Sequence, residues 1–159
     1  PSLSTEPKHI SKNEKGPVLM KIFYHTSATA QGGRSGTSTL DDGSFTANTA
    51  LPGSGRDGLT PENLFALGYA SCFDNAMKEA AKFKNIELGE GWKTTIGVGL
   101  GNTDDNKRLR FDVDITAFLP GMDQETADRL VATTHKLCPF SNSMGEGINV
   151  RLKAQVSAD

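Results

Sequence analysis

The fold of this chain depends most on residues 60–85, which read TPENLFALGYASCFDNAMKEAAKFKN. Thr60 is a good helix N-cap, Pro61 suits the first helical position, and Glu62 complements the positive end of the helix dipole. The apolar residues that follow recur at spacings of three and four, which predicts one long helix with a single buried face. That face comprises Phe65, Tyr69, Cys72, Phe73, Ala76, Ala80 and Phe83. A cysteine therefore lies in the middle of the predicted apolar stripe.

A second amphipathic helix is predicted over residues 123–138. Asp123 is its N-cap, Pro139 ends it, and its apolar face finishes at Cys138. Most other segments alternate in character with a period of two or are bounded by turn residues, which is typical of strands. We predict strands over 17–30, 34–40, 44–50, 92–102, 108–119 and 147–156, with a hairpin turn at Asp41-Asp42-Gly43 between the second and third of them. Because these strands cluster instead of alternating one by one with helices, an α+β fold is favoured over a Rossmann-type fold.

Composition narrows the class of protein. The 159 residues are 36% hydrophobic and 23% charged, which suits one globular domain with a proper core. Residues 1–16 are polar and are predicted to form a flexible N-terminal arm before a single domain over 17–159. A net charge of −2 disfavours nucleic acid as a partner. No apolar run is long enough for a membrane helix or a signal segment, so we expect a cytoplasmic protein.

The only two cysteines are Cys72 and Cys138. A free cysteine on an apolar helical face is usually a small hydrophobic residue, which is the structural interpretation. The functional interpretation is a redox pair, because cytosolic disulfides are more often transient and catalytic than structural. Neither cysteine belongs to a C-x-x-C motif and no histidine cluster accompanies them, so no metal site is predicted.

Two charged residues lie in unusual surroundings. Arg34 follows two glycines and precedes Gly36, so it is either a surface arginine in a turn or a cation aimed inward that lowers the pKa of a thiol. Glu62 either complements the helix dipole or holds Arg34 through a bidentate pair. Glu62 and Cys72 are ten residues apart, which is ~15 Å along an unbroken helix. Either the helix is irregular near its start, or these groups meet across a dimer interface.

The remaining sequence patterns are weaker indications of function. Residues 53–58 match G-x-G-x-x-G, but no dinucleotide fold surrounds them, so no cofactor is predicted. The histidines His9, His25 and His135 have no serine or cysteine partner in any motif. His135 lies one helical turn before Cys138, which leaves a role beside that thiol open.

Four motifs together resemble the organic hydroperoxide resistance (Ohr) branch of the OsmC/Ohr family. They are GGRSG at 32–36, TPENLFA at 60–66, GYASCF at 68–73 and CPFSN at 138–142, and the similarity runs from about Met20 to Val156. The resemblance implies an OsmC-like fold with curved, antiparallel-rich sheets around two central helices, in an intertwined homodimer. It also implies that Cys72 is the peroxidatic cysteine and Cys138 the resolving one. Arg34 and Glu62 become the charged pair that activates Cys72.

The activity implied by this resemblance is that of a thiol-dependent peroxidase. It would reduce organic hydroperoxides to alcohols through a Cys72 sulfenic acid and a Cys72–Cys138 disulfide, and a dithiol, usually a lipoyl group on a protein, would recycle it. Apolar residues near the helices are expected to form an apolar entrance, namely Phe65, Phe73, Phe140 and Met144. Two alternatives stay open: an OsmC-type peroxidase of broader specificity, and a non-catalytic ligand-binding stress protein whose cysteines are inert.

Overall fold

The structure is a computed structural model and describes residues 19–145 and 147–158. The predicted arm over 1–16 lies outside these residues. The chain order is β1 (Ala28–Gln31), β2 (Thr37–Leu40), β3 (Thr46–Asn48), α1 (Pro61–Phe83), β4 (Lys93–Asn102), β5 (Leu109–Phe118), α2 (Gln124–Leu137), α3 (Pro139–Ser143) and β6 (Asn149–Gln155). Strands and helices are segregated along the chain, and the predicted α+β class is confirmed.

Within the described residues the strands form two three-stranded sheets. The first has the order β1-β2-β3 and is antiparallel throughout. Its β2–β3 hairpin turns at the predicted Asp41-Asp42-Gly43, where Gly43 has a φ of 77° that favours glycine. The second sheet has the order β4-β5-β6, with β4 and β5 antiparallel and β6 parallel to β5. The sheets are therefore antiparallel-rich, as the family resemblance implies.

Helix α1 begins where the sequence predicts. The Thr60 hydroxyl accepts a hydrogen bond from the Asn63 N–H at 3.0 Å, and the Asn63 side chain accepts one from the Thr60 N–H at 2.8 Å. This reciprocal capping box satisfies two backbone donors at the helix start. The Leu64 N–H already bonds to the Thr60 carbonyl, and the helix continues unbroken to Phe83. The explanation that invoked an irregular start of this helix is therefore wrong.

The core lies between α1, α2 and the second sheet. Helix α1 contributes the fully buried Tyr69, Phe73 and Met77, and β5 contributes Val113 and Ile115. These β5 positions alternate with more exposed ones, as the period-two pattern predicts.

One end of the predicted α1 stripe is wrong. Phe83, the last residue of the helix, is 84% exposed. The buried face therefore ends one turn earlier, at Ala80 and Ala81.

The strand predicted over 17–30 is mostly wrong. Strand β1 begins only at Ala28, and residues 19–27 have no strand partner in the described part of the chain. Alternation of side chains can show that a segment suits a sheet, but a strand also needs a neighbour to receive its hydrogen bonds. The segment 19–27 leaves large apolar side chains at the surface, including Leu19, Phe23 and Tyr24.

Candidate active site

The packing of α1 against the end of α2 brings the two cysteines together. The Sγ atoms of Cys72 and Cys138 lie 3.8 Å apart, although 66 positions separate these residues in the sequence. Cys138 is fully buried and Cys72 is half-buried, and both are free thiols. A thiol pair at this distance can form a disulfide after a small local shift.

Cys138 sits at a junction between two helices. Its N–H bonds to the Thr134 carbonyl at 2.9 Å and ends α2, while its carbonyl accepts from the Asn142 N–H at 2.9 Å and begins α3. The sequence pattern predicts Pro139 only as the end of a helix, and it does not predict α3. The signal was present, because proline is favoured at the first position of a new helix.

The start of α3 also influences the second sulfur. The Phe140 N–H has no partner within its own short helix, and it lowers the pKa of the Cys72 thiol. Phe140 can approach so closely because Gly68 lies beneath it on α1. A Cβ at Gly68 would come within 3.1 Å of the Phe140 ring.

The electrostatic environment of Cys72 keeps its thiol neutral. Burial, the largest effect, raises the pKa of Cys72 above its ordinary value, and the neighbouring Cys138 raises it further. The Phe140 N–H opposes this by stabilising the thiolate, but it does not reverse the shift. Among the described residues, no cationic side chain contributes to the pKa of Cys72.

The predicted charged partners also meet each other. The Arg34 guanidinium donates two hydrogen bonds to the Glu62 carboxylate, at 2.8 and 2.7 Å. These bonds lower the pKa of Glu62 to about 2, although burial opposes the shift. Arg34 projects from a 3₁₀ turn over Gly33–Ser35. Glycine is required after this turn because a Cβ at Gly36 would overlap the Gln31 carbonyl.

The structure thus contains two separate pairs. One is the thiol pair at the middle of α1, and the other is the ion pair at its first turn. Ten residues of regular helix, ~15 Å, separate Glu62 from Cys72. The bidentate Arg34–Glu62 contact that sequence analysis considered is therefore present, while neither residue is placed beside Cys72 of the same chain by the described contacts.

Three polar side chains form a hydrogen-bonded chain next to the thiols. The Ser141 hydroxyl shares hydrogen bonds with the Tyr69 hydroxyl at 2.7 Å and with Nδ1 of His135 at 2.9 Å. Burial raises the pKa of Tyr69 and lowers that of His135, so both are neutral at pH 7. The expectation that His135 has no serine partner is wrong. No periodic pattern relates positions 135 and 141, because the break at Pro139 creates this contact.

An apolar cavity of about 510 Å³ opens at α3, and its lining includes Pro139 and Phe140, which directly follow Cys138 in the chain. Six of its eight lining residues have apolar side chains, namely Phe65, Phe111, Pro139, Phe140, Met144 and Ile148, and the other two are Ser143 and Gly145. Three of the four residues expected at an apolar entrance line this cavity. The fourth, Phe73, is wrong for this role, because it faces the core and is fully buried.

Nothing in the described ranges resembles a metal centre, since no three His, Cys, Asp or Glu side chains converge there. None of the helices within those ranges is long and apolar enough to cross a membrane.

Known proteins share this fold and sequence. Residues 53–153 match the family model described as OsmC-like protein. The organic hydroperoxide resistance protein of Xanthomonas axonopodis pv. citri is 36% identical over 136 residues, which cover 83% of this chain and 94% of that protein. The crystal structure of OhrB of Bacillus subtilis superposes with a TM-score of 0.77 at 31% identity, covering 84% of this chain and 100% of that one. An organic hydroperoxide resistance protein from Legionella pneumophila gives a TM-score of 0.78 at 36% identity, covering 86% and 100%.

The chain therefore belongs to the OsmC-like family. The predicted resemblance to the Ohr branch is confirmed, because the relatives named above are organic hydroperoxide resistance proteins.

Proposed function

We propose that this protein is a thiol peroxidase that reduces organic hydroperoxides to alcohols and so acts in organic hydroperoxide resistance. The observation that carries the proposal is the 3.8 Å separation of the Cys72 and Cys138 sulfurs. An apolar cavity lined by Pro139 and Phe140, the two residues that follow Cys138, supports it. The names of the relatives support the same activity. A half-buried thiol next to a buried one is the arrangement that a two-cysteine cycle needs.

The cycle starts with attack of the Cys72 thiolate on one peroxide oxygen. The O–O bond breaks, an alcohol leaves with a proton from solvent or the site, and Cys72 becomes a sulfenic acid. The Cys138 sulfur then attacks the sulfenic sulfur, and the S–O bond breaks to release water and leave a disulfide. An external dithiol, which we propose is a lipoyl group on a protein, reduces the disulfide by exchange. It would attack at the more accessible Cys72, in a cytoplasmic setting.

The apolar cavity favours organic peroxides over hydrogen peroxide. A hydrocarbon substituent gains free energy when it leaves water for a cavity lined by Phe111, Phe140 and Met144, at roughly 25 cal/mol for each Å² buried. Hydrogen peroxide has no such group and gains nothing. An OsmC-type peroxidase of broader specificity would not discriminate in this way, so relative rates on the two substrates separate the candidates.

A positive charge would activate Cys72, and no described side chain of the same chain contributes one to its pKa. Burial holds the pKa of Cys72 high, and a thiolate is the reactive form. We propose that Arg34, oriented by Glu62, reaches Cys72 of a second copy in a homodimer. The Arg34–Glu62 bond is well formed and half-exposed, so the guanidinium is presented in one orientation to whatever packs against it.

The exposed apolar residues of 19–27 support the same dimer. Leu19 and Phe23 are more than 90% exposed, and contiguous apolar patches on soluble proteins usually mark an interface. A segment with period-two alternation and no strand partner in the described chain suits pairing with a sheet of another copy. The intertwined homodimer would therefore cover this segment and complete both active sites.

Thiol counting tests the reaction. The wild-type protein is mixed with a slight excess of cumene hydroperoxide, and free thiols are titrated after seconds and after minutes. We expect both thiols per chain to disappear within seconds. The Cys72→Ser variant should not react, whereas Cys138→Ser should consume about one equivalent and then over-oxidise. Thiols that persist for minutes in the wild type would favour the non-catalytic ligand-binding protein.

Complementation between variants tests the shared site. Cys72→Ser and Arg34→Ala are each expected to be inactive alone. Co-expressed with different affinity tags and purified as mixed dimers, they should regain about half of the wild-type activity, because one site then combines an intact Arg34 with an intact Cys72. Mixed dimers as inactive as either parent would place Arg34 and Cys72 of one site on the same chain.

A further inference from the structure

The segment that contains Cys138 is held in place by hydrogen bonds of Ser141, three residues further along the chain. Ser141 lies on α3, Tyr69 on α1 and His135 on α2, so their two hydrogen bonds connect three separate elements. Tyr69 is fully buried and Ser141 is half-buried. A hydroxyl has one donor and two acceptor sites, and both bonds can form with either direction of donation. The connection therefore holds without any charged group.

The Tyr69–Ser141–His135 hydrogen bonds hold in place the segment that faces Cys72. Cys138 and Phe140 lie within three residues of Ser141, and the Phe140 ring stacks on Tyr69 with centroids 5.4 Å apart and planes at 23°. The Cys138 sulfur lies 3.8 Å from the Cys72 sulfur, and the Phe140 backbone lowers the pKa of the Cys72 thiol. The same short segment therefore acts on Cys72 through both residues, and the Ser141 hydroxyl holds it against α1 and α2.

The position of Cys138 matters most in the second chemical step, in which the disulfide forms. The sulfurs must close from 3.8 Å to about 2.0 Å, and Cys138 must approach along the line of the breaking S–O bond. A sulfenic acid that waits too long is oxidised further by a second peroxide. Small errors in the placement of a reacting group cost large factors in rate.

We propose that Ser141 is a positioning residue for disulfide formation, acting through the Tyr69–Ser141–His135 chain to hold Cys138 opposite the Cys72 sulfenic acid. This inference rests on the proposed two-cysteine reaction. In the step concerned, the Cys138 sulfur bonds to the Cys72 sulfur, and the sulfenic oxygen leaves as water with the Cys138 proton. Ser141 itself exchanges no atom with either sulfur.

The test separates the two chemical steps. The reduced protein is mixed with one equivalent of cumene hydroperoxide and quenched at intervals with dimedone, and intact mass gives the sulfenic and disulfide fractions. For Ser141→Ala we expect sulfenic acid to form within about twofold of the wild-type rate, and disulfide formation to slow by about tenfold. Tyr69→Phe keeps the ring stack and should show a smaller slowing of the same step. Ser141→Thr retains the hydroxyl and should restore the wild-type rate.

Controls keep the inference falsifiable. Thr126→Ala removes a hydroxyl bond to Asp123 at the opposite end of α2 and should leave both steps unchanged. Thermal unfolding identifies any variant that fails to fold, in which case Tyr69→Phe decides. Equal slowing of both steps, or disulfide formation at the wild-type rate, would overturn the positioning role. A wild type that forms neither sulfenic acid nor disulfide would instead refute the proposed function itself.

Discussion

Oxidation of Cys72 and Cys138 to a disulfide is expected to stabilise the fold. The bond would close a loop of about 67 residues, for which loop-closure entropy gives about 4 kcal/mol at 25 °C. The sulfurs start 3.8 Å apart and must approach by roughly 1.8 Å, so strain in the folded state removes part of this gain. We therefore expect the oxidised protein to be more stable than the reduced protein by about 2–4 kcal/mol.

Urea unfolding measures this difference. The protein is oxidised with one equivalent of diamide, a loss of about 2 Da per chain is verified by mass, and unfolding is followed by circular dichroism with and without dithiothreitol. Protein concentration is held fixed, because subunit association would otherwise change the apparent stability. With a slope of about 2 kcal/mol per M, oxidation should raise the midpoint by about 1–2 M urea.

The variant Cys138→Ser is the matched control, because it retains Cys72 but cannot close the loop. It should have the same urea midpoint with and without the oxidant. An oxidised wild type whose midpoint equals or falls below that of the reduced protein would refute the reasoning. Because the mass change verifies that the bond has formed, such a result would mean that strain in the folded state cancels the whole loop-closure gain.

Three further predictions concern the core, the ion pair and the cavity. Phe73→Ala should lower the free energy of unfolding by about 3–5 kcal/mol, whereas Phe83→Ala, at an exposed position of the same helix, should change it by about 0.5 kcal/mol or less. Equal effects of the two substitutions would contradict the placement of the core. Arg34 lowers the pKa of Glu62 to about 2, so the difference in free energy of unfolding between wild type and Glu62→Gln should be constant above about pH 5 and should shrink as the pH falls from about 4.5 to 2. Urea unfolding at several pH values measures this difference, and a difference that stayed constant down to about pH 2 would contradict the prediction. Met144→Glu places a charge at the apolar cavity and should raise KM for cumene hydroperoxide by about tenfold with little change for hydrogen peroxide; a parallel change for both peroxides would exclude a role in substrate preference.

Local signals gave most of the elements correctly. The cap at Thr60, the turn at Asp41-Asp42-Gly43 and the alternation along β5 all depend on neighbours within a few residues, and each lies where it was predicted. Strand 17–30 failed because pairing is not a local property. The same alternating pattern is satisfied by a strand within the chain or by one supplied from outside it.

Some contacts of the candidate site could likewise be predicted from local sequence, and others could not. The Arg34–Glu62 contact was one of two interpretations of its motifs, and the structure contains it. The serine partner of His135 was missed, because a helix break at Pro139 folds Ser141 back toward α1 and α2. Short-range spacing cannot indicate a contact that exists only after three helices have packed.

By itself the sequence determined the class of fold, the family and the residue types available for thiol chemistry. Helix caps, periodicity and motifs depend only on residues that are close together in the sequence. Tertiary structure alone decided that two sulfurs 66 positions apart lie 3.8 Å from each other and that burial holds the Cys72 thiol neutral. Both properties depend on which surfaces exclude water and which side chains meet. Those are consequences of packing between α1, α2 and α3, and no single segment contains them.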